Sequence, residues 1–400
     1  MAELNFLPTL PPAFTPPMLF GALLLLGLLG GEAARLFALP RITGYLLVGM
    51  LFGPRGLDLL GGEVIKQSRV FVDISLGLIL FELGRRLDYQ WLRRNRWLLA
   101  TAIAESAFAF LALYFGLRYF DYPRLLAALA AAIGIATSPA VVLLVAHELR
   151  SDGQLTERML LLTAINSVFA FFSVTMLLPF LHFQHRAGWT ETLLQPLYVM
   201  VGSLLTGLVV SLLVLRFAAW LGKREDRQFI MLVGMIVLTA GLARSLNLSV
   251  LVALLTVGIL ARNLDFGHKL MEVQFGHGGQ LFFVILFVMA GVSLRFDLLP
   301  QASYVAGMYI VLRFLGKALA ILVFGRLSGL RPGAAGLLGI ALLPMSGLAV
   351  VMVHDISGLY PEFGARLSAV VLSAVALLEL IGPLATQFAL KQAGEAGERR

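Results

Sequence analysis

The 400-residue sequence contains no cysteine and few charged residues, which make up 14% of the chain. The absence of cysteine excludes disulfide bonds and thiolate chemistry. Soluble domains carry about 25% charged and about 45–50% apolar residues, whereas 59% of this chain is hydrophobic. The sequence therefore predicts an integral membrane protein of the all-α class.

Motifs for catalysis or phosphate binding are also missing. No Walker, dinucleotide-binding or hydrolase motif occurs, and the six histidines have no metal-ligand spacing. The net charge of +8 could suggest nucleic acid, but Lys and Arg normally collect in the loops of membrane proteins. We therefore expect no enzymatic activity, no cofactor, no metal ion and no nucleic-acid partner.

The hydrophobic runs are about 20 residues long, which is typical of helices that cross a bilayer core of about 30 Å. The ten-residue alternation of a membrane β-barrel is not present. The sequence predicts about thirteen transmembrane helices, at 18–37, 42–54, 68–86, 97–118, 124–147, 159–181, 196–220, 228–246, 248–262, 278–294, 302–328, 333–354 and 364–389.

The loops that follow the odd-numbered helices, together with the tail, hold about twice as many Lys and Arg residues as the opposite side. Basic residues accumulate on the cytoplasmic side of membrane proteins. We therefore expect a multi-pass protein of the cell (inner) membrane, with its N-terminus outside and its C-terminus in the cytoplasm.

An internal repeat defines the expected architecture. Segment 34–51 aligns with segment 243–260, and the identical pairs include Gly49 with Gly258. The two copies lie on helices seven apart in the predicted order, so they cross the membrane in opposite directions. Inverted repeats of this kind are typical of secondary transporters.

The repeat also predicts how a single transporter domain, residues 1–400, is divided. Repeat one covers about 18–183, a linking helix covers about 196–220, repeat two covers about 228–390, and 391–400 form a cytoplasmic tail.

Two equivalent interruptions fall in the middle of the fifth and twelfth predicted helices. They are Thr137-Ser138-Pro139-Ala140 and Pro344-Met345-Ser346-Gly347. Proline removes a backbone donor and clashes with the preceding turn, and non-helical backbone persists in a membrane only where it is buried or lines a cavity. We therefore predict crossed discontinuous helices with a binding site between them.

Four charged residues lie near the middle of predicted helices, away from the helix ends. Arg313 and Lys317 share one face at i, i+4 spacing. Glu379 lies at a similar depth, and Glu105 lies somewhat nearer the cytoplasm. Such charges are costly in the bilayer unless they are compensated. They either form a fixed network that braces the helices or carry protons, and the sequence leaves both readings open. Neutral oxygens for a bound ion or substrate come from Thr137, Ser138, Asn166, Ser167 and Ser346.

The segments 39–49, 76–81 and 282–294, together with Gly316-Lys317, resemble the monovalent cation:proton antiporter-2 family of Kef-type and bacterial sodium/proton exchangers. The resemblance covers about residues 20–390. It implies the sodium/proton antiporter-like fold, a homodimer in membrane lipid, and a monovalent cation and protons as partners. Relatives place an aspartate in the sixth helix, where this chain has Asn166 and Ser167. The cytoplasmic nucleotide-binding domain of Kef-type proteins is expected to be absent.

The sequence is compatible with three functions. The first is antiport of Na⁺ or K⁺ against protons by alternating access, with Glu105 or Glu379 as the carboxylate and Lys317 as a competing proton carrier. The second is transport of an anion or organic acid, because the missing aspartate leaves Arg313 and Lys317 as prominent cations. The third is a membrane sensor or scaffold that transports nothing.

Overall fold

The structure is a computed structural model that describes residues 15–59, 62–184, 189–265, 270, 277–294, 299–345 and 347–397. The described residues are almost entirely helical. The helices are α1 (Pro16–Leu36), α2 (Arg41–Phe52), α3 (Gly62–Arg85), α4 (Tyr89–Arg94), α5 (Arg96–Tyr119), α6 (Arg124–Gly134), α7 (Pro139–Glu148), α8 (Gln154–Gln184), α9 (Trp189–Leu221), α10 (Glu225–Ser245), α11 (Val250–Leu264), α12 (His277–Ser293), α13 (Leu299–Leu327), α14 (Pro332–Ala341), α15 (Gly347–Leu359) and α16 (Pro361–Gln392).

Each predicted membrane helix overlaps helical residues, and the all-α membrane fold is confirmed. Within the described part of the chain, seven segments are long and apolar enough to cross a bilayer, and five shorter apolar helices accompany them. The number thirteen stays a prediction. The short helix α4 was expected to be a loop, because its Arg-rich sequence gives no hydrophobic run.

The chain forms two compact units. One unit contains α1, α2, the part of α3 up to Val72, and α12. The other contains α3 from Asp73 and all the remaining helices. The boundaries of the repeats and of the linking helix stay predictions.

Glycines allow close helix contacts inside each unit, and these contacts follow the internal repeat. In the first unit, a methyl group at Gly49 of α2 would lie 1.9 Å from the carbonyl oxygen of Val288 in α12. In the second unit, a methyl group at Gly258 of α11 would lie 2.2 Å from the carbonyl oxygen of Phe81 in α3. Only glycine permits backbones to approach this closely.

The same two helix pairs have a reciprocal contact. A methyl group at Gly291 of α12 would lie 2.2 Å from the carbonyl oxygen of Leu46 in α2, and one at Gly84 of α3 would lie 2.5 Å from that of Leu255 in α11. Leu46 aligns with Leu255 in the repeated segments, and Gly84 aligns with Gly291 at an offset of 207 residues. The repeat therefore encodes equivalent helix packing, with α2 bound to α12 and α11 bound to α3.

Candidate functional site

The two mid-membrane interruptions lie in the second unit and touch each other. The first separates α6, which ends at Gly134, from α7, which begins at Pro139. The second separates α14, which ends at Ala341, from α15, which begins at Gly347. The backbone N–H of Ser138 donates to the carbonyl of Pro344 at 2.9 Å. The predicted pair of crossed discontinuous helices is confirmed.

Local chemistry explains how α7 restarts after the first interruption. Proline at the first position of a helix lacks an N–H that would have no partner there, and Pro139 occupies that position. Ser138 is the N-cap, and its hydroxyl accepts a hydrogen bond from the backbone N–H of Val141 at 3.4 Å. Ser138 therefore caps α7 with its hydroxyl and contacts the second interruption with its backbone N–H.

Arg313 of α13 joins the two interruptions. Its side chain is fully buried, and it donates to the carbonyls of Gly134 and Ala136 in the first interruption at 2.8 and 2.7 Å. It also donates to the carbonyls of Leu343 and Pro344 in the second at 2.8 and 3.4 Å. Carbonyls at helix C-termini lack intrahelical donors and carry partial negative charge. The guanidinium supplies both the donors and the compensating positive charge.

Lys317, one turn further along α13, forms an ion pair with Glu105 of α5. Both side chains are almost completely buried. The pair forms because α5 and α13 approach closely at Gly316, where a methyl group would lie 2.7 Å from the carbonyl oxygen of Phe108. The ammonium also donates to the carbonyl of Ile135 at 2.8 Å.

Thr137 and Asn166 complete the polar cluster. The hydroxyl of Thr137 accepts from the ammonium of Lys317 at 3.1 Å and from the side-chain amide of Asn166 at 3.0 Å, and it lies 3.3 Å from the carbonyl of Leu342, to which it donates. Asn166 in α8 also donates to Glu105 at 3.5 Å and accepts from the backbone N–H of Thr137 at 3.2 Å. Thr137, Asn166, Glu105 and Lys317 therefore form one buried network, called the core cluster below.

The remaining predicted site residues have different surroundings. Ser167 donates to the carbonyl of Thr163 in its own helix at 2.7 Å and lines a cavity of about 340 Å³ whose walls are mostly apolar. Glu379 is buried in α16, one turn before Gly382, where a methyl group would lie 2.8 Å from Pro344. Ser346 lies outside the described residues.

Two contributors to this region were missed in the sequence. Tyr309 is fully buried one turn before Arg313, and its hydroxyl donates to the carbonyl of Ala130 at 2.7 Å. Its i, i+4 spacing from Arg313 was the available signal. Thr386 of α16 donates to the carbonyl of Ala341 at 3.1 Å, and nothing in its sequence context indicates this contact.

The two buried cations of α13 have different surroundings. Arg313 has carbonyl partners on both chain segments and therefore acts as a brace. The core cluster offers a carboxylate, a hydroxyl and an amide oxygen beside an ammonium group, all away from water. A monovalent cation could take the place of the ammonium beside Glu105, whereas an anion would face that carboxylate.

Known structures share this fold. The chain is similar to the sodium proton antiporter MjNhaP1 from Methanocaldococcus jannaschii in its structure at pH 8, with 17% identity, a TM-score of 0.69, and coverage of 96% of this chain and 99% of that one. The electron-microscopy structure of the same antiporter gives a TM-score of 0.71 at 17% identity, with coverage of 95% and 98%.

No curated protein sequence matches this chain. The model of the family described as sodium/hydrogen exchanger, transmembrane, matches residues 21–392. The chain therefore belongs to the sodium/hydrogen exchanger family.

Proposed function

We propose that this protein exchanges a monovalent cation, Na⁺ or K⁺, for protons by alternating access. Membership in the sodium/hydrogen exchanger family supports cation/proton antiport. The observation that carries the mechanism is the buried ion pair between Lys317 and Glu105, beside the hydroxyl of Thr137. In this proposal the carboxylate of Glu105 takes the role of the sixth-helix aspartate that relatives use.

The ion pair can couple cation movement to proton movement, because the buried carboxylate of Glu105 needs a positively charged partner. Removing one member of a buried ion pair costs about 3–5 kcal/mol, since it leaves an uncompensated charge. A cation that binds Glu105 supplies that charge, so Lys317 can release its proton. When the cation leaves, Lys317 is protonated again and returns to Glu105.

Neutral oxygens are proposed to complete the coordination of the cation. Hard monovalent cations prefer oxygen ligands, as in channel filters built from carbonyl groups. Thr137 and Asn166 already contact the core cluster. Ser138, Ser167 and Ser346 are proposed as further ligands in other states of the cycle. Glu379 is proposed as a second buried acid that compensates charge.

The moving part is proposed to comprise α5 to α8 and α13 to α16. These helices carry both interruptions and the four charged residues that are buried in the described part of the chain. It would move against the remaining helices within a homodimer in the cell (inner) membrane, surrounded by lipid. The distribution of Lys and Arg supports an external N-terminus and a cytoplasmic C-terminus. The segment 39–49 and Gly316-Lys317 support assignment to the Kef-type branch.

The anion-carrier reading loses its main support in the structure. It relied on two unbalanced cations, but Lys317 is matched by Glu105 and Arg313 donates to four carbonyls. A small carboxylate would have to displace these contacts and lie beside Glu105.

The test uses purified protein in liposomes that contain a pH-sensitive dye. A Na⁺ or K⁺ gradient should drive proton movement through the wild-type protein. Glu105→Gln combined with Glu379→Gln should abolish this flux, whereas Glu362→Gln, an exposed residue in the first turn of α16, should retain it. Wild-type exchange by the double variant would overturn the role of the two carboxylates.

The same vesicle assay with the wild-type protein distinguishes antiport from the two other functions, anion transport and no transport. Flux driven by small carboxylates but not by Na⁺ or K⁺ would identify an anion carrier. No flux with any ion or carboxylate would identify a protein that does not transport.

A further inference from the structure

A second cavity lies at one end of the helices, away from the core cluster. Its volume is about 550 Å³. Its walls come from the junction of α4 and α5, from the loop before α8 together with the start of α8, and from the end of α13. Since α5 and α8 begin here and α13 ends here, the cavity lies at the level of a membrane surface.

Positive charge predominates on the walls of this cavity. Arg94, Arg96 and Arg158 contribute guanidinium groups, whereas Asp152 and Glu157 contribute carboxylates. Glu157 is already bound at 3.0 Å by Arg86, which directly follows α3 and does not line the cavity. Since Arg86 already compensates Glu157, the three guanidinium groups of the lining face one further carboxylate, that of Asp152.

The three arginines differ in exposure and in their contacts, which suits recognition of an anion. Arg158 donates to the hydroxyl and the carbonyl of Ser328 at 2.5 and 2.8 Å, so its charge is fixed on the wall. Arg94 and Arg96 are exposed and can close on a bound group. Guanidinium groups are well suited to phosphate because they form paired hydrogen bonds with its oxygens.

The start of α5 adds to the attraction for an anion. Asn95 is the N-cap of this helix, and its side chain makes no capping hydrogen bond. The N-terminus of a helix carries partial positive charge and has backbone N–H groups directed outward. Together with the arginines and the cavity, it forms a surface suited to a phosphate group.

The lining also indicates that the phosphate belongs to a lipid. Leu327 lines the cavity and is the first residue of a stripe on α13 that continues through Val323 and Leu319 with exposures of 52, 49 and 53%. Trp97, which is 54% exposed, lines the cavity as well. Tryptophan is enriched at the headgroup level of membranes, and an exposed apolar stripe accommodates acyl chains.

We propose that this cavity binds the phosphate headgroup of an anionic phospholipid whose acyl chains lie along α13. Basic pockets between membrane helices bind such headgroups. The site is separate from the cation site, and the proposal does not depend on what the protein transports.

The experiment measures thermal unfolding of the full chain in a neutral detergent, with added dioleoyl phosphatidylglycerol. Dioleoyl phosphatidylcholine tests the need for negative charge, and glycerol 3-phosphate tests the phosphate group without acyl chains. The variant is Arg94→Gln with Arg96→Gln. The control is Arg216→Gln with Arg227→Gln, which removes two exposed arginines that do not line this cavity.

Phosphatidylglycerol should raise the melting temperature of the wild type and the control, and phosphatidylcholine should not. Each basic residue near an anionic lipid surface is worth about a fivefold change in binding, so the variant should need at least about tenfold more phosphatidylglycerol. Native mass spectrometry of the wild type should retain phosphatidylglycerol in preference to phosphatidylcholine.

Three results would overturn the proposal. Equal stabilisation by the two lipids would remove the role of charge. Equal response of the variant and the wild type would remove the role of this cavity. Stabilisation by glycerol 3-phosphate as strong as that by the lipid would identify a soluble phosphate compound as the ligand.

Discussion

The backbone N–H of Ser138 donates to the carbonyl of Pro344, so the two interrupted helices are joined directly where they cross. Backbone groups freed by an interruption need partners inside a membrane, because no water is available to them. Here the N–H of Ser138 finds an acceptor in the second interruption, and the carbonyl of Pro344 finds a donor in the first. Further donors come from side chains of Arg313, Lys317, Thr137 and Thr386.

Arg313→Ala should strongly destabilise the protein. The substitution removes a buried cation and leaves three carbonyls without this donor. The fourth, that of Pro344, still accepts from the backbone N–H of Ser138. Each buried carbonyl that is left without a donor costs about 1–3 kcal/mol. Thermal unfolding in detergent measures the loss.

The control for Arg313 is Arg326→Gln, which removes an exposed arginine near the end of the same helix. It should change the melting temperature little. Arg313→Lys should recover only part of the stability, because an ammonium cannot reach both chain segments with the planar geometry of a guanidinium. If Arg313→Ala unfolds at the same temperature as Arg326→Gln, the bracing role is wrong.

Gly258→Ala should destabilise the contact between α11 and α3. The added methyl group would lie 2.2 Å from the carbonyl oxygen of Phe81, and backbone cannot yield without moving a helix. Overpacking of this kind costs about 1–3 kcal/mol or more. The matched change is Gly241→Ala in α10, where no atom lies within 4 Å. It should be neutral or stabilise by up to about 1 kcal/mol, because alanine favours helix.

Gly49→Ala extends this measurement to the other repeat. Its methyl group would lie 1.9 Å from the carbonyl oxygen of Val288, so it should lower the melting temperature as Gly258→Ala does. Melting at the wild-type temperature by either variant would refute the close packing inferred from the repeat.

Thr137→Val should weaken cation binding while keeping the shape of the side chain. The lost hydroxyl accepts hydrogen bonds from Lys317 and Asn166, and a hydrogen bond to a charged group is worth about 1.5–3 kcal/mol. The apparent KM for the cation should therefore rise by at least about tenfold in liposome assays. Thr137→Ser retains the hydroxyl and should stay near the wild-type KM; equal KM values for the two variants would exclude a role for the hydroxyl.

Sequence reasoning predicted the helices and their interruptions because these depend on local signals. Long apolar runs, Pro139 and Pro344, and the aligned glycines are all visible in one chain. Arg313 and Lys317 were expected to share a face, and both reach the first interruption.

The partners within the site depend on helix packing, which the sequence does not specify. Glu105 and Glu379 were equal candidates for the carboxylate, and the contact of α5 with α13 at Gly316 selects Glu105 as the partner of Lys317. Asn166 and Ser167 were expected to act together. Adjacent residues of a helix point in different directions, so Asn166 joins the core cluster while Ser167 lines an apolar cavity.

The most direct test of the central claim compares Glu105→Gln with Glu379→Gln as single variants in liposomes that report cation-driven proton flux. Both carboxylates are buried, so the two substitutions are closely matched. We expect Glu105→Gln to abolish the flux and Glu379→Gln to retain a measurable part of it. Flux at the wild-type rate through Glu105→Gln would contradict the claim that Lys317 and the transported cation compete for this carboxylate.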